Sequence, residues 1–241
     1  MDPMHHFQVH NYVDIVLPGG FDISISNSVL WMWITVGAIY LFFHLCLQNT
    51  KPVPGRLQSL AEASYLFLKG LVEDNVGKEG LRFFPMIFTL FFFILFSNLL
   101  GLIPGSFTTT SQLIVTGTLA MGVFLFSTGL GFYKHGLHFF GFFVPHGLPW
   151  VLLPLMVPIE VISYLARPVS LSVRLFANMT AGHTMLAVFF FFTTTLPWFA
   201  GWLPFGLSVV FNGVEVFIGF IQAYIFTILT CVYINDALHM H

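Results

Sequence analysis

Residues 83–133 form a run of 51 residues without a single Asp, Glu, Lys or Arg. The whole chain of 241 residues is only 7% charged, against about 25% in an average soluble domain. A soluble enzyme could not cover its surface with so few charges. A nucleic-acid-binding protein needs a basic face and a disordered protein needs low hydrophobicity, so both classes are excluded. The composition therefore predicts a protein that crosses a lipid membrane several times.

The apolar segments predict an all-α polytopic membrane protein with a single membrane domain over residues 1–241. About 20 apolar residues in a helix cross the roughly 30 Å hydrocarbon core of a bilayer. Two segments, 150–192 and 205–239, are longer than a perpendicular span requires, so they predict two long helices that are tilted or bent, the first at its prolines. In chain order, the predicted parts are a polar N-terminal segment at 1–28, a transmembrane helix at 29–47, a charge-rich surface segment at 48–82, a transmembrane hairpin at 83–133, a loop at 134–149 and a tilted helix hairpin at 150–239.

The segment 48–82 contains apolar residues at steps of three and four, which is the spacing of one face of a helix. The helix is too polar to cross a membrane. We therefore expect an amphipathic helix that lies flat on the membrane surface. Its apolar stripe consists of Leu57, Leu60, Ala61, Tyr65, Leu68, Leu71 and Val72.

The cationic residues outside the last hundred residues all fall on one side of the predicted membrane helices. They are Lys51, Arg56, Lys69, Lys78, Arg82 and Lys134. The N-terminal segment and the polar turn at 106–112 have none. The positive-inside rule therefore predicts that these six face the cytoplasm, that the N-terminus lies outside and that the C-terminus is cytoplasmic. The first 22 residues lack Lys, Arg and an apolar core, so no cleavable signal peptide is predicted.

The histidines outside the long helices could bind a metal, but no cluster of carboxylates or cysteines completes a site. Solvated segments are the simpler interpretation, and no cofactor is predicted. These histidines lie in the sequence HHFQVH at 5–10 and in the loop as His135, His138 and His146. Cys46 and Cys231 are expected to be small buried apolar residues. Asn98, a polar residue at membrane depth, is expected to bond a neighbouring helix, with a pore-lining role as the alternative.

Three charged residues, Glu160, Arg167 and Arg174, lie in an apolar helix, where a central charge costs about 2.5–3.5 kcal/mol on insertion. They are seven residues apart, and seven residues turn a helix by about 700°, so they share one face. Asn178 joins this face one turn later. A buried ion pair between Arg167 and Glu160 is one interpretation. Arg174 has no carboxylate one turn away, which predicts a partner carboxylate on another subunit and points to ion translocation.

His183 follows Arg174 by nine residues and is predicted to lie on the opposite face of that helix. Glu215 and Gln222 are seven residues apart and share a face of the last helix. The last two helices are therefore predicted to have two separate polar strips. One strip follows residues 160–178, and the other could join His183 to Glu215.

Two runs of sequence closely resemble subunit a of the F-type ATP synthase. They are RPVSLSVRLFANMTAGH at 167–183 and FIQAYIFTILTCVYINDALH at 220–239. The resemblance covers nearly the whole chain, including FSNLLGLIP at 96–104 and HHFQVH. It implies that the essential arginine of the family is Arg174. It assigns the conserved asparagine, glutamine and upstream acid of the family to Asn178, Gln222 and Glu160.

One pair of residues departs from the pattern of many bacterial members, which carry Glu nine residues after the arginine and His on the last helix. This chain has the reverse, His183 and Glu215. The reversed arrangement resembles the alphaproteobacterial and mitochondrial branch, and it keeps one acid and one imidazole. We therefore expect the inner membrane of a bacterium, with the mitochondrial inner membrane as the alternative.

The resemblance implies the stationary proton-channel subunit of a rotary machine. Two offset half-channels would carry H⁺ to and from the carboxylates of a ring of c subunits, with Arg174 between them. The residues implied are His183 and Glu215 in the periplasmic half-channel, Glu160, Ser170 and Asn178 in the cytoplasmic one, and Gln222 and Arg167 as further members of the pathway. Subunits of a b-type peripheral stalk are the other expected partners.

The chain lacks the phosphate-binding sequence GxxxxGK[ST], so it is not expected to hydrolyse nucleotide by that route or to be an enzyme on its own. The alternative function is a secondary ion-coupled transporter. Such proteins usually contain two related halves, and this sequence shows no internal repeat. A structural membrane scaffold would not explain four charges inside the long helices.

Overall fold

The computed structural model describes residues 11–13, 24–48, 53–103, 106–143, 153–197 and 201–239. Six α-helices dominate these residues: α1 (Asn27–Leu47), α2 (Arg56–Val76), α3 (Phe84–Gly101), α4 (Leu113–His135), α5 (Leu153–Thr195) and α6 (Trp202–Leu238). Three 3-10 helices, Lys78–Phe83, Thr109–Ser111 and Gly136–Phe143, connect or extend them. Five of the helical segments, all except α2, are long and apolar enough to cross a membrane. The prediction of an all-α polytopic membrane protein is confirmed.

A short antiparallel pair of strands precedes α1 and was not predicted from the sequence. It joins β1 (Asn11–Val13) to β2 (Ile25–Ser26), with Asn11 opposite Ser26. Ser26 also caps α1, because its Oγ accepts a hydrogen bond from the backbone N–H of Val29 at 3.5 Å. The histidines of HHFQVH lie outside the described residues.

The hairpin of α3 and α4 runs from residue 84 to residue 135, so it begins one residue and ends two residues after the predicted hairpin at 83–133. Its open end carries an exposed ion pair, in which Lys134 Nζ at the end of α4 donates to Glu79 Oε2 at 3.1 Å. The start of the α3 segment and the end of α4 therefore lie on the same side of the molecule.

The amphipathic helix α2 packs against α3 and α6 through only part of its predicted stripe. Leu68, Leu71 and Val72 are buried, and the last two pack with Cys231 and Ile234 of α6. In contrast, Leu57, Leu60 and Tyr65 are exposed. Within this chain the stripe is therefore buried only in part, at Ala61 and along the C-terminal half of α2. Its placement on the membrane surface stays a prediction.

The two long helices are the largest elements. With 43 and 37 residues, α5 and α6 are about 65 Å and 56 Å long. α5 continues as a helix through Pro158 and Pro168. A core of buried apolar residues joins the middle of both helices to α3 and α4, and it includes Phe91, Ile94, Ala120, Val123, Leu171, Leu175, Met179, Ala223 and Phe226.

Both cysteines are buried and free, as predicted. Large apolar side chains cover the outside of the bundle, for example Val209, Val210 and Phe217 on the first half of α6. A soluble protein rarely exposes apolar patches of this extent, whereas a lipid bilayer accommodates them. The outer surface therefore fits a protein whose solvent is largely lipid.

Candidate functional site

The antiparallel pair α5 and α6 brings together three pairs of polar residues from distant parts of the sequence. The pairs are Arg167 with Asp236, Asn178 with Gln222, and His183 with Glu215. As the residue numbers rise along α5, those of the partners fall along α6. Polar contacts between the two helices therefore recur from residue 167 to residue 183 of α5.

Asn178 contacts Gln222 at the centre of this interface. Asn178 Nδ2 donates to Gln222 Oε1 at 2.9 Å, and Gln222 is only 1% exposed. Glu215 and Gln222 share a buried face of α6, as predicted. Asn178 and His183 both reach this face, because they are about 140° apart around α5 and lie on either side of the contact line. The predicted strip that joins His183 to Glu215 is present, and Asn178 of the other strip contacts the same face of α6, whereas Arg174 of that strip is exposed.

His183 and Glu215 lie side by side, as the sequence allowed. His183 Nε2 is 3.7 Å from Glu215 Oε1, and the two side chains are 16% and 5% exposed. Neither carboxylate oxygen of Glu215 has a hydrogen-bond partner among the described residues. A buried imidazole beside a buried carboxylate can take up and release a proton, because either group can stabilise charge on the other.

Gly182 makes this arrangement sterically possible. A Cβ atom at position 182 would lie 2.5 Å from Glu215 Oε1 and 2.7 Å from Glu215 Cδ. The Glu215 carboxyl group thus occupies the space that a larger residue at 182 would need. Sequence reasoning missed this role, although Gly182 directly precedes His183.

A polar loop between α3 and α4 packs against α5. Four consecutive residues with hydroxyl groups, Thr108–Ser111, are buried there. Thr108 Oγ1 lies 2.9 Å from His183 Nε2. The sequence predicted only a polar turn at 106–112, and nothing in the sequence indicated that the turn folds into the bundle. We call Thr108, His183 and Glu215 the His183 cluster.

Asn98 bonds to the neighbouring helix α6, as predicted. Its Nδ2 donates to the backbone carbonyl of Gly219 at 3.1 Å, and its Oδ1 accepts from Thr110 Oγ1 at 2.8 Å. A Cβ atom at position 219 would lie 3.2 Å from Asn98 Cβ, so glycine permits this close approach. Because Gly219 lies between Glu215 and Gln222, Asn98 fixes the segment of α6 that carries both.

Arg167 pairs with Asp236 instead of Glu160. Arg167 Nη1 is 2.6 Å from Asp236 Oδ2. Its guanidinium also lies 5.4 Å and 5.5 Å from the ring centres of Tyr164 and Tyr233. The predicted pair with Glu160 is wrong, because seven residues separate the two side chains by about 10 Å along the helix. We call Arg167, Asp236, Tyr164 and Tyr233 the Arg167 cluster.

The two clusters lie at opposite ends of the helix bundle. The His183 cluster includes Thr108 of the loop between α3 and α4. The Arg167 cluster lies near the far end of α4, where the Tyr164 hydroxyl contacts Thr128 Oγ1 at 2.7 Å. Sequence reasoning missed Asp236, which belongs to the apolar last helix and is separated from Arg167 by 69 residues.

Arg174 lies between the two clusters on the outer face of α5. Its side chain is exposed and makes no hydrogen bond or ion pair with any residue in the described ranges. Ser170 is also exposed, and Glu160, which is half-buried, likewise has no such partner within those ranges. The structure therefore does not bring Glu160, Ser170 or Arg174 into contact with the residues of either cluster by a hydrogen bond.

Comparison with known proteins identifies the family. The family model of the ATP synthase A chain matches residues 29–235. The chain is 60% identical over 245 residues to ATP synthase subunit a of Magnetococcus marinus, which covers 100% of this chain and 94% of that protein. The chain belongs to the ATP synthase A chain family. Subunit a of Rhodospirillum rubrum is 49% identical over 239 residues, with 99% of both chains covered, and that of Pelagibacter ubique is 48% identical over 240 residues, covering 100% of this chain and 98% of that protein.

Membership of the ATP synthase A chain family confirms the resemblance seen in the sequence. It also confirms the prediction that the chain is a membrane-sector subunit of the ATP synthase complex. The similar proteins come from alphaproteobacteria, which is the branch that His183 and Glu215 indicated. A bacterial multi-pass inner-membrane protein agrees with these relatives and with the five apolar helices.

Proposed function

We propose that this chain is the stationary proton-channel subunit of a rotary F-type ATP synthase, with Arg174 separating two offset half-channels. The observation that carries the proposal is the position of Arg174. It is a charged, exposed side chain in a membrane helix, without an ion-pair partner in the described ranges, and it lies between polar clusters at opposite ends of the bundle.

A charged arginine in a membrane needs a partner of opposite charge. The surface around Arg174 supports a partner on another chain, because the exposed neighbours Ala166, Ser170, Ala177 and Ala181 are small. Small residues let a second membrane helix approach closely. A ring of c subunits that carries one carboxyl group per helix at membrane depth would supply both the helix and the opposite charge.

The fixed charge of Arg174 would then govern the protonation of each ring carboxyl group. The guanidinium stays protonated at any working pH. It stabilises the ionised form of a nearby carboxyl group, so that this group releases its proton, and it repels a proton that would cross directly. A proton must therefore bind the ring on one side of Arg174 and leave on the other, and each charge that crosses 100 mV releases about 2.3 kcal/mol.

The two clusters would serve opposite sides of the membrane. His183 and Glu215 would pass protons between the periplasm and the ring. Glu160, Ser170 and Asn178 would line the cytoplasmic half-channel, with Gln222 and Arg167 contributing polar groups beside it. In this orientation the N-terminus is periplasmic and the C-terminus is cytoplasmic in a bacterial inner membrane, and b-type stalk subunits keep the chain stationary.

Replacement of Arg174 in the complete ATP synthase, reconstituted in vesicles, tests the proposal. We expect Arg174→Ala to abolish proton-driven ATP synthesis in an assembled complex and to raise the passive proton leak. Arg174→Lys should also fail, because lysine can lose its proton when desolvated and lacks the planar fork. Val173→Ala, at the exposed neighbouring position, serves as the control and should retain synthesis. Normal coupled synthesis by the Arg174→Ala complex would contradict the proposal.

A further inference from the structure

The loop between α3 and α4 contributes a hydroxyl group to the buried pair of His183 and Glu215. Thr108 is buried, and its Oγ1 has two polar neighbours. It donates to the backbone carbonyl of Gly101 at 3.3 Å and lies 2.9 Å from His183 Nε2. A threonine hydroxyl has one proton and two lone pairs, so an oxygen that donates to a carbonyl can still accept from an imidazole N–H.

Glu215 approaches the same nitrogen of His183. Glu215 Oε1 is 3.7 Å from Nε2, which is beyond hydrogen-bond distance, whereas Thr108 Oγ1 is within it. A proton on Nε2 satisfies both neighbours, because it bonds the hydroxyl and faces the carboxylate. When Glu215 is ionised, a bare Nε2 lone pair would instead face the lone pairs of the carboxylate.

The surrounding backbone is shaped to hold Thr108 in this place. A Cβ atom at position 101 would lie 2.8 Å from both Oγ1 and Cγ2 of Thr108, so a larger residue there would displace it. Ser106 Oγ and Ser111 Oγ hold the loop by donating to the carbonyls of Gly101 at 3.0 Å and of Thr108 at 2.6 Å. The hydroxyl of Thr108 is thus held against His183 by contacts on both sides of it in the loop.

We propose that Thr108 is a positioning residue for proton transfer, which orients His183 by accepting a hydrogen bond from its Nε2 and keeps that nitrogen directed at Glu215. The proposal rests on the proton-channel function proposed above. It assigns a role in proton transfer to the buried loop, which the sequence indicated only as a polar turn. Loss of the Thr108 hydroxyl removes the hydrogen-bond acceptor at 2.9 Å from Nε2 and so weakens the orientation of the imidazole.

The test measures proton-driven ATP synthesis and ATP-driven proton pumping per assembled complex in vesicles. Thr108→Val keeps the shape of the side chain and removes the hydroxyl. We expect it to slow proton flux about tenfold, which corresponds to about 1.4 kcal/mol. Thr108→Ser restores the hydroxyl and should return flux to within about twofold of the unmodified complex.

Thr109→Val is the matched control, because Thr109 is the next residue, is buried and has no hydrogen-bond partner for its hydroxyl in the described part of the chain. It should leave flux unchanged. In a His183→Gln background, Thr108→Val should slow flux no further, because a positioning residue acts only through the group that it positions. If Thr108→Val prevents assembly, Thr108→Ala, which adds no atoms, takes its place with the same expectation.

Normal flux in Thr108→Val, equal slowing in Thr109→Val, or failure of Thr108→Ser to restore flux would each overturn the positioning role. Those results leave the channel function intact as long as Arg174→Ala abolishes coupled synthesis in the same preparation. Coupled synthesis by Arg174→Ala would instead contradict the channel function, whatever the Thr108 variants do.

Discussion

The positions of two side chains beside His183 depend on neighbouring glycines, which have no side chain. Glu215 lies beside His183 only because Gly182 has no side chain, and Thr108 lies beside His183 only because Gly101 has none. The arrangement of His183 and Glu215 with Thr108 therefore requires the space that Gly182 and Gly101 leave. Close packing makes such positions sensitive to a single added methyl group.

Substitution of Gly182 tests this dependence. We expect Gly182→Ala to move the Glu215 carboxyl group away from His183, because the new Cβ atom would lie 2.5 Å from Oε1. Proton flux through the reconstituted complex should fall by at least fivefold, and the free energy of unfolding should fall by about 1–3 kcal/mol. Gly122→Ala, at a glycine of α4 with no atom within 4 Å of the added Cβ, is the control. Equal flux in both variants would show that the space beside Gly182 is not required.

The long helices are held against each other by the Arg167 cluster at one end and by Asn178 and Gln222 near the middle. Arg167 and Asp236 are only partly buried, with side chains 27% and 32% exposed. Removal of one partner of such a pair leaves a partly buried charge without that partner, which costs more than removal of one partner of a surface ion pair. The stacking of Arg167 on two tyrosines adds to the contact.

Removal of one partner of this pair should loosen the helix hairpin. We expect Asp236→Asn to lower the free energy of unfolding by about 1–2 kcal/mol, because the partly buried charge of Arg167 then loses the carboxylate of Asp236. Thermal unfolding of the detergent-solubilised complex measures the change. Lys134→Ala is the control, because its ion pair with Glu79 is exposed, with side chains 39% and 64% accessible, and exposed pairs contribute about 0–1 kcal/mol. An equal loss of unfolding free energy in both variants would show that the pair of Arg167 and Asp236 contributes no more to stability than an exposed ion pair.

At the scale of the whole molecule, the distribution of charges predicts the orientation of the chain in the membrane. The open end of the α3–α4 hairpin carries the ion pair of Lys134 and Glu79, and the closed end carries the uncharged buried loop near His183. The same loop lies on the side of the bundle that the positive-inside rule assigns to the periplasm. The His183 cluster and the Arg167 cluster are therefore expected to face opposite compartments.

Cysteine labelling tests this orientation. In a chain with Cys46 and Cys231 replaced, we expect Ser24→Cys to react with an impermeant thiol reagent from outside intact cells. Gln58→Cys, at the exposed start of α2, should react only in inverted membrane vesicles. Labelling in the opposite pattern would reverse the membrane orientation and the assignment of both half-channels with it.

The sequence alone was enough to predict the helices and their family. Apolar runs of about 20 residues or more are helical in a bilayer, because a helix satisfies its own backbone hydrogen bonds where no water is present, and the minimum length of a span follows from the thickness of the bilayer. The segments at 29–47, 83–133 and 150–239 therefore agree closely with α1, α3, α4, α5 and α6. The motifs around Arg174 and Gln222 indicated the family, and the seven-residue spacing placed Glu215 and Gln222 on one face.

Only the tertiary structure decided which polar groups meet. Helical periodicity predicts the direction of a side chain around its own helix, but it does not predict the register of two helices or the angle at which they cross. Arg167 therefore pairs with Asp236, 69 residues away, and not with Glu160 on its own helix. The burial of Thr108 against His183 and the space that Gly182 leaves for Glu215 have the same origin, because both depend on how closely separate segments approach in the folded chain.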